Sequence, residues 1–299
     1  MKVAVIGSRG YIAQRVIAKL AQNGHEVVAF STSGHQRLRE IELVTYELAD
    51  LRNQLVSSAP DVVINMTNHF TRSDTTEEVL AMADVNCALV TEIASACCDQ
   101  NAILLHVGTA WETDDANPNQ LSPDLYGLFR SLATTIINWH MRTRHLRVYQ
   151  IRLYDTYGPG DPRNKVVQLL AGQIAATETL DMSKGDQILE LVHVEDVATA
   201  FLLALEHLDY LVMRSWDFSI DYTYWCRPDE PITLRGLATI IEELSGKTLN
   251  VNWGARPYRP GEQFVRAENP RPQVPRWRPS IKIRDGLNQI LNGYDSQNE

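Results

Sequence analysis

Between Val3 and Leu20 the chain changes period, from a continuous apolar run to helical spacing, and the change falls across a pair of glycines. Val3 to Ile6 reads as a strand, Gly7-Ser8-Arg9-Gly10-Tyr11-Ile12-Ala13 follows at once, and Ile12, Val16, Ile17 and Leu20 then mark a helix. A glycine pattern carries weight only in this strand-to-helix setting. Gly7 permits the tight turn, Gly10 lets backbone approach a pyrophosphate, and Ala13 stands where a third glycine would allow close helix packing. Tyr11 and Ile12 open the helix, whose free amides and positive dipole end suit an anion. The segment predicts a dinucleotide-binding turn.

Five further apolar runs of strand length follow: Val27 to Phe30, Leu43 to Tyr46, Val62 to Met66, Ile103 to Val107 and Val148 to Leu153. Helical patterns around 51–58, 75–98 and 123–143 separate most of them. Strands apolar on both faces that alternate with helices predict an α/β fold built on a doubly wound parallel sheet. After Tyr157-Gly158-Pro159-Gly160-Asp161-Pro162 the rhythm breaks, and helices near 164–177, 194–207 and 233–245 mix with short strands. Arginine and proline gather from Arg256 to Pro279, a loop-like stretch suited to cover a site. The expected organisation is a nucleotide-binding domain over 1–160, completed by a strand and helix from 186–222, a smaller C-terminal substrate lobe over 161–291, and a flexible polar tail over 292–299.

The chain has 299 residues, 44% of them hydrophobic, enough for a large core and a secondary lobe. A formal net charge of −9 argues against a nucleic-acid partner, which a basic surface would meet. No apolar stretch approaches bilayer-spanning length, and the run from Met1 to Gly7 is too short for a signal peptide, so no membrane association and a cytoplasmic location are expected. Cys87, Cys97, Cys98 and Cys226 fit neither a disulfide framework nor a metal spacing, and no metal site is expected.

Tyr126 and Arg130 stand four residues apart on one predicted helix, which Ser122 can cap and Pro123 can open. A cation close to a phenol stabilises its anion and pulls its pKa down from about 10. That pairing suits proton exchange with a carbonyl, although such a pair is also a common surface contact. At the end of the second strand, Phe30-Ser31-Thr32-Ser33 offers hydroxyls and no carboxylate. An acidic residue there would bond the free ribose hydroxyls of NAD. Ser31, Thr32 and Ser33, with Arg9 in the glycine loop and Arg37 beyond, instead suit the 2′-phosphate of NADP(H).

Asp50-Leu51, Asn86, Thr109, Tyr126, Tyr157-Gly158-Pro159, Val194-Glu195-Asp196-Val197 and Arg259-Pro260-Gly261-Glu262 follow the glycine loop in a specific order. In that order and spacing the chain resembles the extended short-chain dehydrogenase/reductases, in the branch that modifies nucleotide-activated sugars, from residue 1 to about 291. The resemblance implies a Rossmann-like doubly wound sheet with a smaller C-terminal α/β substrate lobe. It implies that Tyr126 exchanges a proton with the sugar C4 oxygen, Thr109 hydrogen-bonds that oxygen, and nicotinamide carries the hydride. Arg130 stands where the family has a lysine that binds the nicotinamide ribose and depresses the tyrosine pKa. Asp50 and Leu51 would flank the adenine, Met66 and Thr67 would line the cofactor's path, and backbone near Tyr154 would meet the nicotinamide amide. Asn86 would order the active-site region. Asp155, Lys165 and Arg259 would contact the sugar or its diphosphate, with solvated charges as the competing reading, and Leu189 replaces an arginine that many relatives use for the diphosphate. The resemblance also implies a homodimer that pairs helices 75–98 and 123–143.

Dehydratases of this family carry Asp-Glu directly after the threonine, where this chain has Ala110-Trp111, which argues against dehydration. Gly108 offers neither the Cys nor the His of a combined epimerase-reductase, and His69 and His106 read as ordinary loop or core histidines. The expected function is therefore NADPH-dependent reduction of the 4-keto group of a CDP- or dTDP-linked 4-keto-6-deoxy sugar. Two alternatives stay open, a nucleotide-sugar 4-epimerase and a catalytically silent NADP-binding sensor or scaffold, the latter because of Arg130.

Overall fold

A computed structural model describes residues 1–33, 41–112, 122, 124–259, 261–266 and 271–295. In chain order the elements begin with β1 (Lys2–Ile6), α1 (Tyr11–Gln22), β2 (Glu26–Ser31), β3 (Glu42–Thr45), α2 (Leu48–Ser58) and β4 (Val62–Asn65). Then come α3 (Thr76–Ala83), a π-helical turn at Asp84–Ala88, α4 (Leu89–Gln100), β5 (Ile103–Thr109), a 3₁₀ turn at Ala110–Glu112, α5 (Leu125–Arg144) and β6 (Arg147–Leu153). The later elements are β7 (Asp155–Tyr157), α6 (Val166–Gly172), β8 (Leu180–Met182), β9 (Ile188–Leu189), β10 (Leu191–His193), α7 (Val194–Met213) and β11 (Thr223–Cys226). β12 (Ile232–Thr233), α8 (Leu234–Ser245), β13 (Val251–Trp253) and α9 (Ile283–Asp295) complete the chain. α9 runs into the polar segment from Asn292 that was expected as a tail.

Seven strands form the main sheet in the order β11-β6-β5-β4-β1-β2-β3. From β3 to β6 every neighbouring pair is parallel, in the 3-2-1-4-5-6 order of a doubly wound dinucleotide fold. All residues of β4 and β5 are buried, which is why Val62–Ile64 and Ile103–Leu105 are continuous apolar runs instead of alternating. On α1 the residues that recur at helical spacing, Ala13, Val16, Ile17 and Leu20, are the buried ones.

By length and a mean hydropathy of 1.5, the helical run Thr76–Gln100 would suffice to cross a bilayer, contrary to the expectation from sequence. The run packs as a core helix. Leu89, Val90, Ile93, Ala94 and Cys97 belong to the cluster that also holds Leu51, Leu55 and Ile137. The run looked shorter because Asp84 and Asn86 interrupt it, and both lie in its π turn.

The chain divides into two compact units. The first comprises Met1–Leu153, Ala198–Trp225 and Arg271–Trp277 and carries the sheet. The second comprises Tyr154–Val197, Cys226–Pro270 and Arg278–Glu299, with its own core of Tyr157, Val167, Leu170, Leu237, Ile241, Leu287 and neighbours. Its strands form three short pairs, β7 with β10, β8 with β13 and β9 with β12. Arg37, Pro123 and Pro260 lie outside the described residues.

Candidate active site

Gly7 has φ +78°, a left-handed conformation in which a side chain is strained. A Cβ there would also stand 3.0 Å from the backbone of Met66 and Thr67, so the loop and the end of β4 touch backbone to backbone. Gly10 caps α1 with no side-chain hydrogen bond, and the first turn carries no acidic residue. The helix start therefore carries no built-in side-chain anion, which suits a phosphate. Arg9 Nη1 donates to the Ser33 carbonyl at 3.0 Å, which brings the loop cation to the end of β2. Ser31 Oγ accepts from Ser33 N at 3.3 Å and shapes the same turn. The residues present fit a dinucleotide, with an arginine and three hydroxyl residues gathered at the end of β2. Leu51 is fully buried in the core, so of the Asp50-Leu51 pair it is Asp50, on the exposed first turn of α2, that reaches the surface.

The second half of the site is built where β5 ends and α5 begins. Thr109 closes β5, and its Oγ1 accepts from Trp111 N at 3.3 Å, which leaves the hydroxyl proton for a further partner. Asp124 caps α5 by accepting from Gly127 N at 2.7 Å, and Ser122, the expected cap, instead receives the Asp124 amide at 3.3 Å. The helix starts later than Ser122 because Asp124 holds the extended cap conformation, with φ −127° and ψ 158°. Gly127 is needed here, since a Cβ would overlap the Ser122 hydroxyl and the Trp111 carbonyl. That close approach seats the start of α5 against the 3₁₀ turn after Thr109.

Tyr126 is buried at 9% exposure and packs edge-to-face with Phe70, their ring centroids 4.9 Å apart. Burial pushes its phenol above the ordinary value near 10, the Arg130 cation pulls it down, Glu112 pushes it up, and a side-chain hydrogen bond with Asn68 pulls it down. The net shift is upward, opposite to the expectation from sequence. The reason is desolvation: in the buried position the charged form loses more than Arg130 restores.

Arg130 is itself buried, at 3% exposure. Nη1 donates to Asn86 Oδ1 at 3.0 Å and to the Thr67 carbonyl at 3.3 Å, and Nη2 donates to the Val107 carbonyl. One guanidinium thus ties the ends of β4 and β5 to the π turn. Asn86 completes its bonding through Nδ2 to the Met82 carbonyl at 3.0 Å, so the buried amide has partners on both sides. Widened turns of this kind recur at functional sites. His106 is fully buried, with Nδ1 3.3 Å from Asn65 Nδ2, and burial, then Arg130 and Arg152, hold its pKa well below the ordinary value. His69 lies in the loop after β4 and contacts Glu78 at 2.6 Å.

In the second unit, Lys165 Nζ donates to Asp155 Oδ1 at 2.9 Å, so these two expected substrate contacts engage each other. Arg259 is exposed, in the turn closed by Glu262 N to its carbonyl at 3.2 Å. Tyr154 is buried, with the Arg227 guanidinium 5.4 Å from its ring centroid. Next to Leu189, Glu190 holds Arg227 at 2.7 Å and Arg266 at 2.9 Å. No sequence motif pointed to Asn68, Phe70, Glu112 or Arg152. Their only signal was proximity in sequence to Thr67, Thr109 and Leu153.

A family model described as the NAD dependent epimerase/dehydratase family matches residues 3–214. A protein named CDP-abequose synthase from Yersinia pseudotuberculosis is 25% identical over 68% of this chain and 72% of its own length. Its counterpart of the same name from Salmonella typhimurium is 21% identical over 97% of both chains. Among solved structures, UDP-glucuronic acid 4-epimerase from Bacillus cereus with UDP-glucuronic acid and NAD superposes with TM-score 0.81 at 17% identity, over 99% of this chain and all of the other. UDP-glucose 4-epimerase from Thermotoga maritima with UDP-glucose superposes with TM-score 0.79 at 18% identity, over the whole of both chains. Those two likenesses speak to the fold, while the family model spans the glycine loop, β5 and the Tyr126 helix. On that match, the chain belongs to the NAD dependent epimerase/dehydratase family.

Proposed function

We propose that this protein reduces the 4-keto group of a CDP- or dTDP-linked 4-keto-6-deoxy sugar at the expense of NADPH. The observation that carries the reading is Tyr126, buried against Phe70 at the start of α5, beside the end of β5, with its phenol pushed above the ordinary value by burial. A ketone needs a proton donor as its carbon accepts hydride, and a protonated phenol is that donor. Tyr126 transfers its proton to the C4 oxygen while Thr109 hydrogen-bonds the same oxygen. When bound, NADPH supplies the hydride. Arg9 and the Ser31-Thr32-Ser33 turn favour the phosphorylated cofactor, because an arginine faces the strand end and no carboxylate stands in that turn. Similarity to two proteins named for synthesis of a CDP-linked sugar supports the substrate class.

A second reading is a catalytically silent NADP-binding sensor or scaffold. Arg130 favours it, since the guanidinium is engaged by Thr67, Asn86 and Val107 where the family has a ribose-binding lysine. Purified protein with NADPH and a panel of 4-keto-6-deoxy sugar nucleotides separates the readings. Substrate-dependent NADPH oxidation supports the reductase, tight NADPH binding without turnover supports the silent binder, and sugar inversion without net oxidation supports a 4-epimerase.

A further inference from the structure

We infer that Glu112 is a positioning residue for the Thr109 and Tyr126 pair, a buried anchor that locks the turn after β5 to helix α5. The inference rests on the roles proposed for those two residues. The Glu112 side chain has no solvent exposure. Its Oε1 accepts from Thr109 N at 2.8 Å, and its Oε2 accepts from Thr134 Oγ1 at 2.8 Å and pairs with Arg152 Nη2 at 3.1 Å. Thr109 ends β5, Thr134 lies on α5 beyond Tyr126, and Arg152 lies on β6. A single carboxylate therefore joins the three elements that surround the reacting side chains.

The seat for this carboxylate is specific. A Cβ on Gly108 would overlap Glu112 Oε1 and stand 3.1 Å from Arg152 Cγ, so the anchor fits only because residue 108 lacks a side chain. Arg152 is steadied in turn by the Trp225 ring, whose centroid lies 5.4 Å from its guanidinium. Taking a carboxylate and a guanidinium out of water is expensive, and an apolar side chain of equal volume would hold a fold as well. An ionic anchor has a use where the position of a neighbouring hydroxyl matters to a fraction of an ångström. Both oxygens of Glu112 are engaged, so it serves as an anchor, and proton exchange stays with Tyr126.

Two variants test this. Glu112→Gln keeps the size and removes the charge, and Thr134→Val removes one tether with little change of shape. For each, kcat and KM with the 4-keto sugar nucleotide, the Kd for NADPH and amide hydrogen exchange over residues 105–112 and 125–134 are measured. A displaced hydroxyl predicts that Glu112→Gln lowers kcat about 100-fold, with Thr134→Val about 10-fold and NADPH affinity within about 3-fold of wild type. Exchange at the Thr109 amide accelerates in Glu112→Gln. A folded Glu112→Gln that keeps kcat within about 2-fold of wild type overturns the inference, because a lost anchor predicts a far larger cost. So does a loss spread equally over NADPH affinity, KM and kcat, the mark of general unpacking. Should Glu112→Gln fail to fold, an unchanged kcat and exchange pattern in Thr134→Val overturns it alone. If wild type reduces no substrate, the reductase reading fails separately, and unaltered Thr109 exchange in Glu112→Gln then sinks the anchor.

Discussion

Tyr126 and Arg130 share a helix face but sit in different chemical surroundings. The phenol is enclosed and shifted upward, so below its pKa it is a donor. Reduction consumes the protonated form, so kcat for reduction should stay level from about pH 6 to 9 and fall only above the raised pKa. Oxidation of a sugar hydroxyl needs the phenolate and should gain with pH over the same range. Tyr126→Phe should cost at least about 100-fold in kcat with NADPH affinity retained, measured by cofactor fluorescence and steady-state rates. Arg130 holds three acceptors that an ammonium cannot span. Arg130→Lys should therefore lower stability by about 1–3 kcal/mol in a urea titration. His106 adds a pH dependence of stability. Its folded pKa lies below its unfolded value, so between the two the unfolded state binds more protons. Stability should be full above about pH 6.5 and decline as pH falls, by up to about 1.4 kcal/mol per pH unit, and His106→Gln should remove that slope.

At the scale of elements, the sheet was readable and the active-site turn was not. Apolar runs buried on both faces announce parallel strands, and every strand expected up to Leu153 has its counterpart between β1 and β6. The glycine loop was equally plain, because only glycine serves at a φ of +78° against the β4 backbone. Helix α5 was readable in extent but not at its cap, since Ser122 and Asp124 are both capping types and the backbone between them decides. The partners of Arg130 come from the loop after β4, the π turn and β5, and no local pattern in sequence encodes them. Nor does any period mark Phe70, an exposed loop residue that shields the phenol. One element-level consequence concerns Gly127. Gly127→Ala should push α5 from the 3₁₀ turn, lowering the melting temperature and kcat together while NADPH binding at the glycine loop changes little.

For the molecule as a whole, cofactor choice and assembly are the properties to measure. If Arg9 meets the 2′-phosphate as proposed, Arg9→Ser should weaken NADPH at least about 10-fold and NADH far less. Leu80 on α3, and Leu132 and Trp139 on α5, are exposed apolar side chains on the helices expected to pair between subunits. If they do pair, Trp139→Glu should shift a dimer to monomer in sedimentation without loss of fold. The most direct test of the whole account is the absorbance of NADPH at 340 nm with purified protein and a CDP- or dTDP-linked 4-keto-6-deoxy sugar. The account predicts one NADPH oxidised for each 4-hydroxy sugar nucleotide formed, abolished by Tyr126→Phe. Tight NADPH binding with no oxidation across the panel, or turnover that survives Tyr126→Phe, would contradict it.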